Sequence, residues 1–225
     1  MPIDSSDVSG IKLFQPLSKD DFKEVAPLLT SIKYGKKDSV FSEGDSSDWL
    51  YIVKEGKVKI TKISQDGKEI ILEIIKPDEL FGAIAVLNAF AYPANAVAME
   101  DSTVFRISRS DLMRVLDRFP AMMQAMMHDL GERIKDSHEA LKSIALEKVG
   151  SRIAALLLKL SEQMGEDTAN GRKITIKLTK QDIAEMVGTT VETSIRTMSR
   201  FKKMGVIDES SGRIVITNPS ALESL

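Results

Sequence analysis

One short window of this chain carries side chains that can recognise the edges of base pairs. The window, 190–203, reads TVETSIRTMSRFKK, and a helical winding of about 100° per residue places Glu192 and Arg196 on one face. Arginine can bond bidentately to guanine, glutamate can accept a hydrogen bond from the amino group of cytosine, and threonine hydroxyls can hold phosphates. The window therefore predicts a helix that reads the major groove of DNA. The alternative is an ordinary solvated amphipathic helix.

The remaining positions of the window divide into a polar side and a packing side. The polar side and its flanks also hold Ser199, Lys203, Thr193, Ile195 and Arg200. The packing side holds Ser194, Met198 and Phe201, with Val191 at its edge. Ser194 and Thr197 are more polar than the aliphatic residues usual at packing positions, which predicts a loosely packed helix.

The elements on either side of the window must position it. Thr179 can cap a preceding short helix, Asp182 lies in its first turn, and Gly188 ends it where the turn needs a permissive backbone. Thr190 can cap the window's own helix. The stretch VIDESSGRIVITN then predicts two strands around a Ser-Gly turn, which would form a wing beside the two helices.

Composition bounds the function classes. The chain has 225 residues, of which 43% are hydrophobic and 28% charged, as in a globular protein of one large or two modest domains. It has no cysteine, which excludes disulfides, cysteine-ligated zinc or iron–sulfur clusters and thiol catalysis. The net charge is −2, but the part from Lys148 onward carries +3 and the rest −5. A mildly basic C-terminal part is consistent with a surface that faces phosphates.

Targeting signals are lacking in this sequence. No apolar run approaches the roughly 18 residues of a membrane span, and MPIDSSDVSG lacks the basic and apolar regions of a signal peptide. We therefore predict a cytoplasmic protein without a membrane partner.

The N-terminal half predicts a β-rich domain. Residues 1–17 are expected to be a leader with little packing, and 20–32 have a helical pattern interrupted by Pro27. Short strand-like runs with glycine and proline turns over 34–108, including a DG hairpin signal at 66–67, predict a small antiparallel β-barrel with two-sheet character. Within it, FGAIAVLN predicts about one turn of helix, and 81–98 either walls a ligand cavity or is a plain connecting loop.

A long helix is predicted between this domain and the C-terminal part. A short helix over 111–118 should stop near Pro120, which then begins a helix that reaches about Leu146. Apolar residues with one polar member recur along it in a heptad spacing, at Met123, Met127, Leu130, Ile134, Ser137, Leu141 and Ile144. This seam predicts a two-stranded coiled coil, and the alternative is a helix that lies on its own domain's core.

The polar stretch GEDTANGR predicts a turn after a helix that begins near Glu147 and ends at Met164. The run ITIKL predicts a strand that leads directly into the two-helix unit.

In its order of elements the chain resembles the CRP/FNR family, the cyclic-AMP receptor and fumarate–nitrate regulators. The resemblance covers nearly the whole chain and is carried by FSEGD, LYIVKEGKVKI, QDGKEIIL, the FG turn at 81–82, the helix start at Pro120, and LTKQDIAEMVGTTVETSIR followed by MGVI. It implies an α+β fold with three parts. These are a jelly-roll-like β-barrel of the cyclic-nucleotide-binding type (1–109), a dimerisation helix region (110–146) and a winged helix-turn-helix (147–225).

The resemblance also implies roles on the reading helix. Glu192 and Arg196 match the family pair that reads the inner step of a TGA-like half-site, and Val191 replaces the additional base-reading Arg of cyclic-AMP receptors. The expected half-site is therefore closer to TTGA than to TGTGA. Ile195 replaces the Ser common in FNR-like members, which favours a thymine methyl contact. The expected DNA-binding residues are Thr179, Thr190, Glu192, Thr193, Ile195, Arg196, Arg200 and Arg213.

The sensor end departs from the best-known relatives. Where cyclic-nucleotide binders have a ribose-binding Glu and a phosphate-binding Arg-Ser pair, this chain has Ala83, Pro93 and Ala94. Cyclic AMP in the usual mode is therefore disfavoured, and the lack of cysteine disfavours the iron–sulfur cluster of oxygen sensors. By position in the family, an effector pocket would involve Phe81, Gly82, Ala83, Pro93, Ala94, Ser137 and His138.

Haem is a possible cofactor, because some relatives bind it and respond to nitric oxide or carbon monoxide. His138, Met126 or Met127 would then be the axial ligands. The favoured alternative is that His128 and His138 are solvated residues beside the seam.

These features predict a homodimeric, effector-controlled regulator that binds a palindromic DNA operator and contacts RNA polymerase. An alternative is a small-molecule receptor whose C-terminal domain contacts protein. The sequence has no phosphate-cradling loop, metal-ligand cluster or placed nucleophile–base pair, so an enzyme is not expected.

Overall fold

The computed structural model describes residues 11–210 and 212–225. The chain forms two compact units, of which the first ends at Ile134 and the second begins at Lys135. Positions 1–10 of the predicted leader lie outside the described residues. Ile11, Leu13 and Phe14 are buried against the first unit's core, so the prediction of little packing is wrong for this part.

The first helix ends earlier than its apolar spacing predicts. Helix α1 is Lys19–Val25, and a 3-10 turn, Ala26–Leu28, follows it. Pro27 lies in that turn because a proline has no N–H to donate to a helix. Ile32 consequently belongs to the first strand, which begins at Thr30 rather than at the predicted position 34.

Within the described residues, the first unit has two antiparallel four-stranded sheets. Their strands are β1 (Thr30–Tyr34), β2 (Ser39–Phe41), β3 (Trp49–Glu55), β4 (Val58–Ile63), β5 (Glu69–Ile75), β6 (Leu80–Phe81), β7 (Asn95–Ala98) and β8 (Ser102–Ser108). The sheet orders are β1-β8-β3-β6 and β2-β7-β4-β5. The two sheets share one apolar core but no strand, so the unit is an open two-layered sandwich rather than a closed barrel.

Two local predictions for this unit are confirmed. The DG signal forms the β4–β5 hairpin, where Gly67 has φ +80° and the Ser64 amide donates to the Lys68 carbonyl at 2.9 Å. FGAIAVLN contains helix α2, Ala83–Asn88, which follows Gly82.

The predicted helices after the sandwich are also present. Helix α3 spans Arg109–Arg118, and helix α4 begins at Pro120 and runs to Leu146. The side chains of Met122 and Met126 are buried in the apolar core of the first unit, so the first part of α4 packs on that core.

The second unit combines helices with a small sheet. Its elements are the end of α4, α5 (Val149–Met164), β9 (Gly165–Thr168), β10 (Gly171–Ile174), α6 (Lys180–Val187), α7 (Val191–Lys203), β11 (Ile207–Ser210), β12 (Arg213–Ile216) and α8 (Pro219–Glu223). The sheet order is β11-β12-β10-β9.

The polar stretch predicted as a simple turn is a hairpin of β9 and β10. The strand predicted over ITIKL is wrong: only Ile174 lies in a strand, as the last residue of β10, and the chain from 175 to 179 is irregular. Across the described ranges, no helix is long and apolar enough to cross a membrane.

Candidate nucleic-acid interface and sensor region

The turn between α6 and α7 is fixed by its own side chains. Thr179 accepts a hydrogen bond from the Asp182 amide at 3.0 Å, and the Asp182 carboxylate accepts from the Thr179 amide at 2.7 Å. Gly188 ends α6 with φ +64°, in the left-handed region that glycine adopts at little cost. Arg152 of α5 donates to the Gly188 carbonyl at 3.4 Å. The predicted caps and turn are therefore present, and a hydrogen bond from α5 helps to fix the turn.

Helix α7 has the predicted division of faces. Thr190 caps it by accepting from the Thr193 amide at 3.3 Å. The side chains that face the core of the second unit are Ser194, Thr197, Met198 and Phe201. Glu192 and Arg196 are exposed on the other side, and Ile195 beside them is 48% exposed. The predicted reading pair thus stands on a free surface of the second unit.

The buried face of α7 contains a hydroxyl without a partner. Ser194 is fully buried, and its Oγ has no hydrogen-bond partner in the described structure. An unsatisfied buried hydroxyl costs about 1–3 kcal/mol. The polar Ser194 is therefore buried at a packing position of the folded helix, and the loose packing expected from it stays a prediction.

Four other predicted DNA-binding residues have contacts within the protein. The Thr179 hydroxyl donates to the Asp182 carboxylate at 2.7 Å, and the Thr190 and Thr193 hydroxyls lie 3.0 Å apart. The Arg213 Nε donates to the Thr175 carbonyl at 2.7 Å, which ties β12 to the segment before α6. These groups shape the surface, and their contribution to phosphate binding stays a prediction. Arg200 is exposed, as expected for such a contact.

Two ion pairs between the wing and the helices were not predicted. Lys180 at the start of α6 pairs with Glu209, and Lys202 near the end of α7 pairs with Asp208 at 3.1 Å. The Glu209 backbone amide, with Lys202 as a second cause, lowers the pKa of the Asp208 carboxyl. Sequence spacing gives no signal for these pairs, because the wing must fold back before the residues meet.

In the first unit, aromatic rings fill the region beside α2. Phe41 and Tyr92 stack with ring centroids 3.8 Å apart, and Tyr51 stacks on Phe81 at 5.3 Å. A Cβ added to Gly82 would lie 3.1 Å from the Tyr92 ring. The Tyr92 hydroxyl donates to the Trp49 carbonyl and accepts from its amide. Burial raises the pKa of the Tyr92 hydroxyl above its ordinary value.

One arginine ties α4 to the sandwich. Arg133 forms ion pairs with Glu73 of β5 at 3.0 Å and with Asp129 at 2.9 Å, and its Nη2 donates to the Leu80 carbonyl at 2.6 Å. Leu80 begins the strand that leads into Gly82. Sequence reasoning missed this residue, since its partners lie up to 60 positions away.

The heptad residues of α4 are largely uncovered. Met123 and Leu130 are partly buried and Ser137 is exposed, while the exposed fractions of the others are 61% for Met127, 54% for Ile134, 65% for Leu141 and 45% for Ile144. The described chain alone does not bury this apolar row.

Comparison with known proteins identifies the chain. Two family profiles match, "Cyclic nucleotide-binding domain" over residues 31–119 and "Crp-like helix-turn-helix domain" over 151–225. The anaerobic regulatory protein of Aggregatibacter actinomycetemcomitans is 30% identical over 190 residues, which cover 84% of this chain and 74% of that protein. The chain belongs to the CRP/FNR family of transcription regulators.

A second relative agrees with this assignment, and a solved structure shares the fold. The CRP-like cAMP-activated global transcriptional regulator of Mycobacterium tuberculosis is 25% identical over 210 residues, 93% of this chain and 94% of that protein. The structure of FixK2 from Bradyrhizobium japonicum superposes with a TM-score of 0.78 at 21% identity, over 88% of this chain and 96% of that one. This CRP/FNR member is thus a regulator with a DNA-binding helix-turn-helix domain, and its relatives are regulators rather than enzymes.

The segment of this CRP/FNR member from Gly82 to Phe105 offers no cation to a cyclic phosphate. Ala83 and Ala94 are buried and uncharged, Pro93 is exposed, and the sequence from Gly82 to Phe105 contains no Lys or Arg. A cyclic phosphate taken from water needs a cation or several donors to replace its hydration. The rings of Phe41 and Tyr92 lie beside Gly82 instead.

The other predicted effector residues differ in environment. Phe81 is 2% exposed in the core, and Ser137 and His138 of the second unit are exposed on α4. A surface pocket of about 450 Å³ lies elsewhere in the first unit, lined by residues 44, 46–48, 89–91 and 109. None of the predicted pocket residues lines it, so their role in effector binding stays a prediction.

The haem prediction finds no support at Met126. Its side chain is 1% exposed and belongs to the apolar core of the first unit, because the spacing that places it next to Met122 also turns it inward. Met127 and His138 are exposed on α4. Among the described residues, no cluster of three or more His, Asp or Glu side chains forms a candidate metal site.

Proposed function

We propose that this CRP/FNR regulator acts as a homodimer that reads a palindromic, TTGA-like operator and contacts RNA polymerase at the promoter. The observation that carries the proposal is the exposed pair Glu192 and Arg196 on a helix whose opposite face is buried. A free Arg/Glu face at the N-terminal part of a second helix matches how helix-turn-helix proteins enter the major groove.

The exposed row on α4 supports the dimer. Ile134, Leu141 and Ile144 are each at least 45% exposed in a heptad spacing, and a second copy of the same helix would cover them. Two-fold symmetry then places two reading helices about one helical turn of DNA apart. An effector acts on such a dimer only if it binds two arrangements with different affinity.

The contacts of Arg133 support the proposal that an effector controls the dimer through α4. Arg133 joins the strand before Gly82 to the helix one residue before the seam position Ile134. A ligand that moves β6 would therefore bias the helix that forms the dimer.

The first test combines operator selection with a seam variant. Full-length protein is used to select duplexes from a random library, and the self-association of wild type and Ile134→Glu is measured by sedimentation equilibrium. We expect selection of a two-fold symmetric sequence, and we expect Ile134→Glu to weaken self-association by more than about tenfold, since a carboxylate would be buried in an apolar seam.

His128→Glu is the matched control. His128 is also exposed on α4, about 120° around the helix from Ile134, and should leave association unchanged. Equal effects of Ile134→Glu and His128→Glu on self-association would contradict the proposal that the heptad residues of α4 form the dimer interface. Phosphate contacts make the affinity for DNA fall steeply as the salt concentration rises. An affinity that hardly depends on salt would therefore favour the alternative function, a small-molecule receptor whose C-terminal domain contacts protein.

A further inference from the structure

One pocket of the first unit has no part in the proposed function. It encloses about 450 Å³ and is lined by the loop between β2 and β3, by the segment that follows α2 and by Arg109 at the start of α3. Small-molecule sites in proteins have volumes of roughly 300–1,000 Å³. The pocket is therefore large enough to hold one small metabolite.

Two opposite charges line this pocket without pairing. Asp48 and Arg109 are both lining residues, and within the described part of the chain neither side chain forms an ion pair. The Arg109 amide donates to the Asp48 carbonyl at 2.8 Å, so the two side chains start from adjacent backbone positions. Opposite charges that lie side by side and do not pair are each available to a charged group of a ligand.

A neighbouring group holds each of these charged side chains. The Arg109 Nε donates to the Val86 carbonyl of α2 at 2.7 Å, and the other N–H groups of the guanidinium have no acceptor among the described residues. The Asp48 carboxylate accepts a hydrogen bond from the Ser46 hydroxyl. The pocket thus presents one positioned donor group for an anion and one positioned acceptor group for a cation.

An apolar wall lies beside the two charges. It consists of Ala89, Phe90 and Ala91, and 43% of the surface of Phe90 is exposed. Ala89 has φ +56°, a left-handed conformation that is costly for alanine and that glycine adopts more easily. Strained residues of this kind cluster at ligand sites. The wall therefore offers a ligand an uncovered aromatic ring next to the charged groups.

A free α-amino acid with an apolar side chain matches these features. Its carboxylate can pair with a guanidinium, its ammonium group with a carboxylate, and its side chain can cover an exposed ring. The terminal residue of a peptide carries only one of the two charges and would leave Asp48 or Arg109 without a partner. We propose that the pocket binds a free apolar amino acid, with Arg109 on its carboxylate, Asp48 on its ammonium group and Phe90 against its side chain.

Isothermal titration calorimetry of the full-length protein tests the ligand class. L-Leucine and L-phenylalanine are titrated, each with an analogue that lacks the ammonium group (isocaproate, hydrocinnamate) and one that lacks the carboxylate (isoamylamine, phenethylamine). We expect saturable one-to-one binding of at least one amino acid. Each of its analogues should bind at least about tenfold more weakly, because it loses one charge-assisted contact.

Two variants assign the charges of the ligand to the side chains. Asp48→Asn should weaken the binding of the amino acid about tenfold and leave that of the ammonium-free analogue unchanged, since this analogue has no group for Asp48. Arg109→Gln should weaken the amino acid similarly and spare the carboxylate-free analogue. A substitution that merely distorts the pocket would weaken all three ligands. Asp117→Asn is the control, because Asp117 is exposed on α3 and does not line the pocket.

Three results would overturn the inference. They are the absence of saturable binding of either amino acid at millimolar concentration, analogues that bind as tightly as their parent amino acid, and an Asp48→Asn or Arg109→Gln variant that weakens all three ligands alike. Each of them leaves the proposed function untouched, since operator selection and self-association do not require a ligand in this pocket.

Discussion

The predicted reading helix and the predicted sensor cassette, 81–98, present different chemistry. On α7, Glu192 and Arg196 are exposed, and they are the pair that the family resemblance predicts to read bases. In the cassette, the positions at which the resemblance predicts a ligand site carry Ala83, Pro93 and Ala94, and the rings of Phe41 and Tyr92 lie beside Gly82. The predicted DNA-facing surface therefore carries charged groups, whereas the predicted ligand site carries none.

This difference has a physical basis. A surface that recognises base edges needs hydrogen-bonding groups at fixed spacing, and few residue types supply them. An interior only needs to be filled, so a polar ligand site can be replaced by side chains of matching volume. The stack of Phe41 on Tyr92 lies in the apolar core, and it makes Tyr92 of the cassette part of that core.

The largest expected effect is a loss of stability, which tests whether the cassette is part of the hydrophobic core. Phe41→Ala should lower the free energy of unfolding of the first unit by about 3–5 kcal/mol, since a buried ring that stacks on Tyr92 is removed. Denaturant titration of the full chain measures it. Phe90→Ala is the control, because Phe90 is 43% exposed and its loss should change stability little. Similar losses in the free energy of unfolding for both variants would mean that the stacked ring of Phe41 contributes no more to stability than the exposed ring of Phe90.

A smaller effect is expected for the reading surface. Arg196→Ala should weaken binding to the selected operator by about 1–3 kcal/mol and abolish discrimination at one guanine, with no change in stability because the residue is exposed. Anisotropy titrations against single-base variants of the operator measure both. Lys203→Ala, also exposed on α7, should weaken all duplexes alike. Retained discrimination in Arg196→Ala would remove this residue from the reading set.

Cyclic AMP is expected to have no effect on stability or on DNA binding. Millimolar cyclic AMP should leave the unfolding temperature and the operator affinity unchanged, because Ala83 and Ala94 offer no charge to its phosphate. Differential scanning calorimetry with and without the nucleotide checks this. A saturable rise in the unfolding temperature would show that the cassette still accepts the ligand by another route.

Local signals account for what the sequence predicted well. The Thr179–Asp182 capping box, the left-handed Gly188 and the DG hairpin each depend on a few neighbouring residues, and all are present. The faces of α7 follow from helical periodicity alone, as the burial of Phe201 illustrates.

Long-range packing accounts for what the sequence did not predict. The stack of Phe41 on Tyr92 and the contacts of Arg133 with Glu73 and Leu80 join residues about 50–60 positions apart, and composition gives no sign of them. The strand start at Thr30 was missed because an apolar spacing that fits a helix continued past Pro27.

The two ion pairs of the wing have a consequence for the ionic atmosphere of the complex. Lys180 and Lys202 are each already matched by a carboxylate, Glu209 and Asp208. A lysine that exchanges an internal carboxylate for a DNA phosphate displaces one condensed cation but leaves a bare carboxylate, which gathers a cation of its own. The number of cations set free on binding is then smaller than the number of lysines facing the duplex, and the affinity of this regulator should depend less steeply on salt than a count of its basic residues implies.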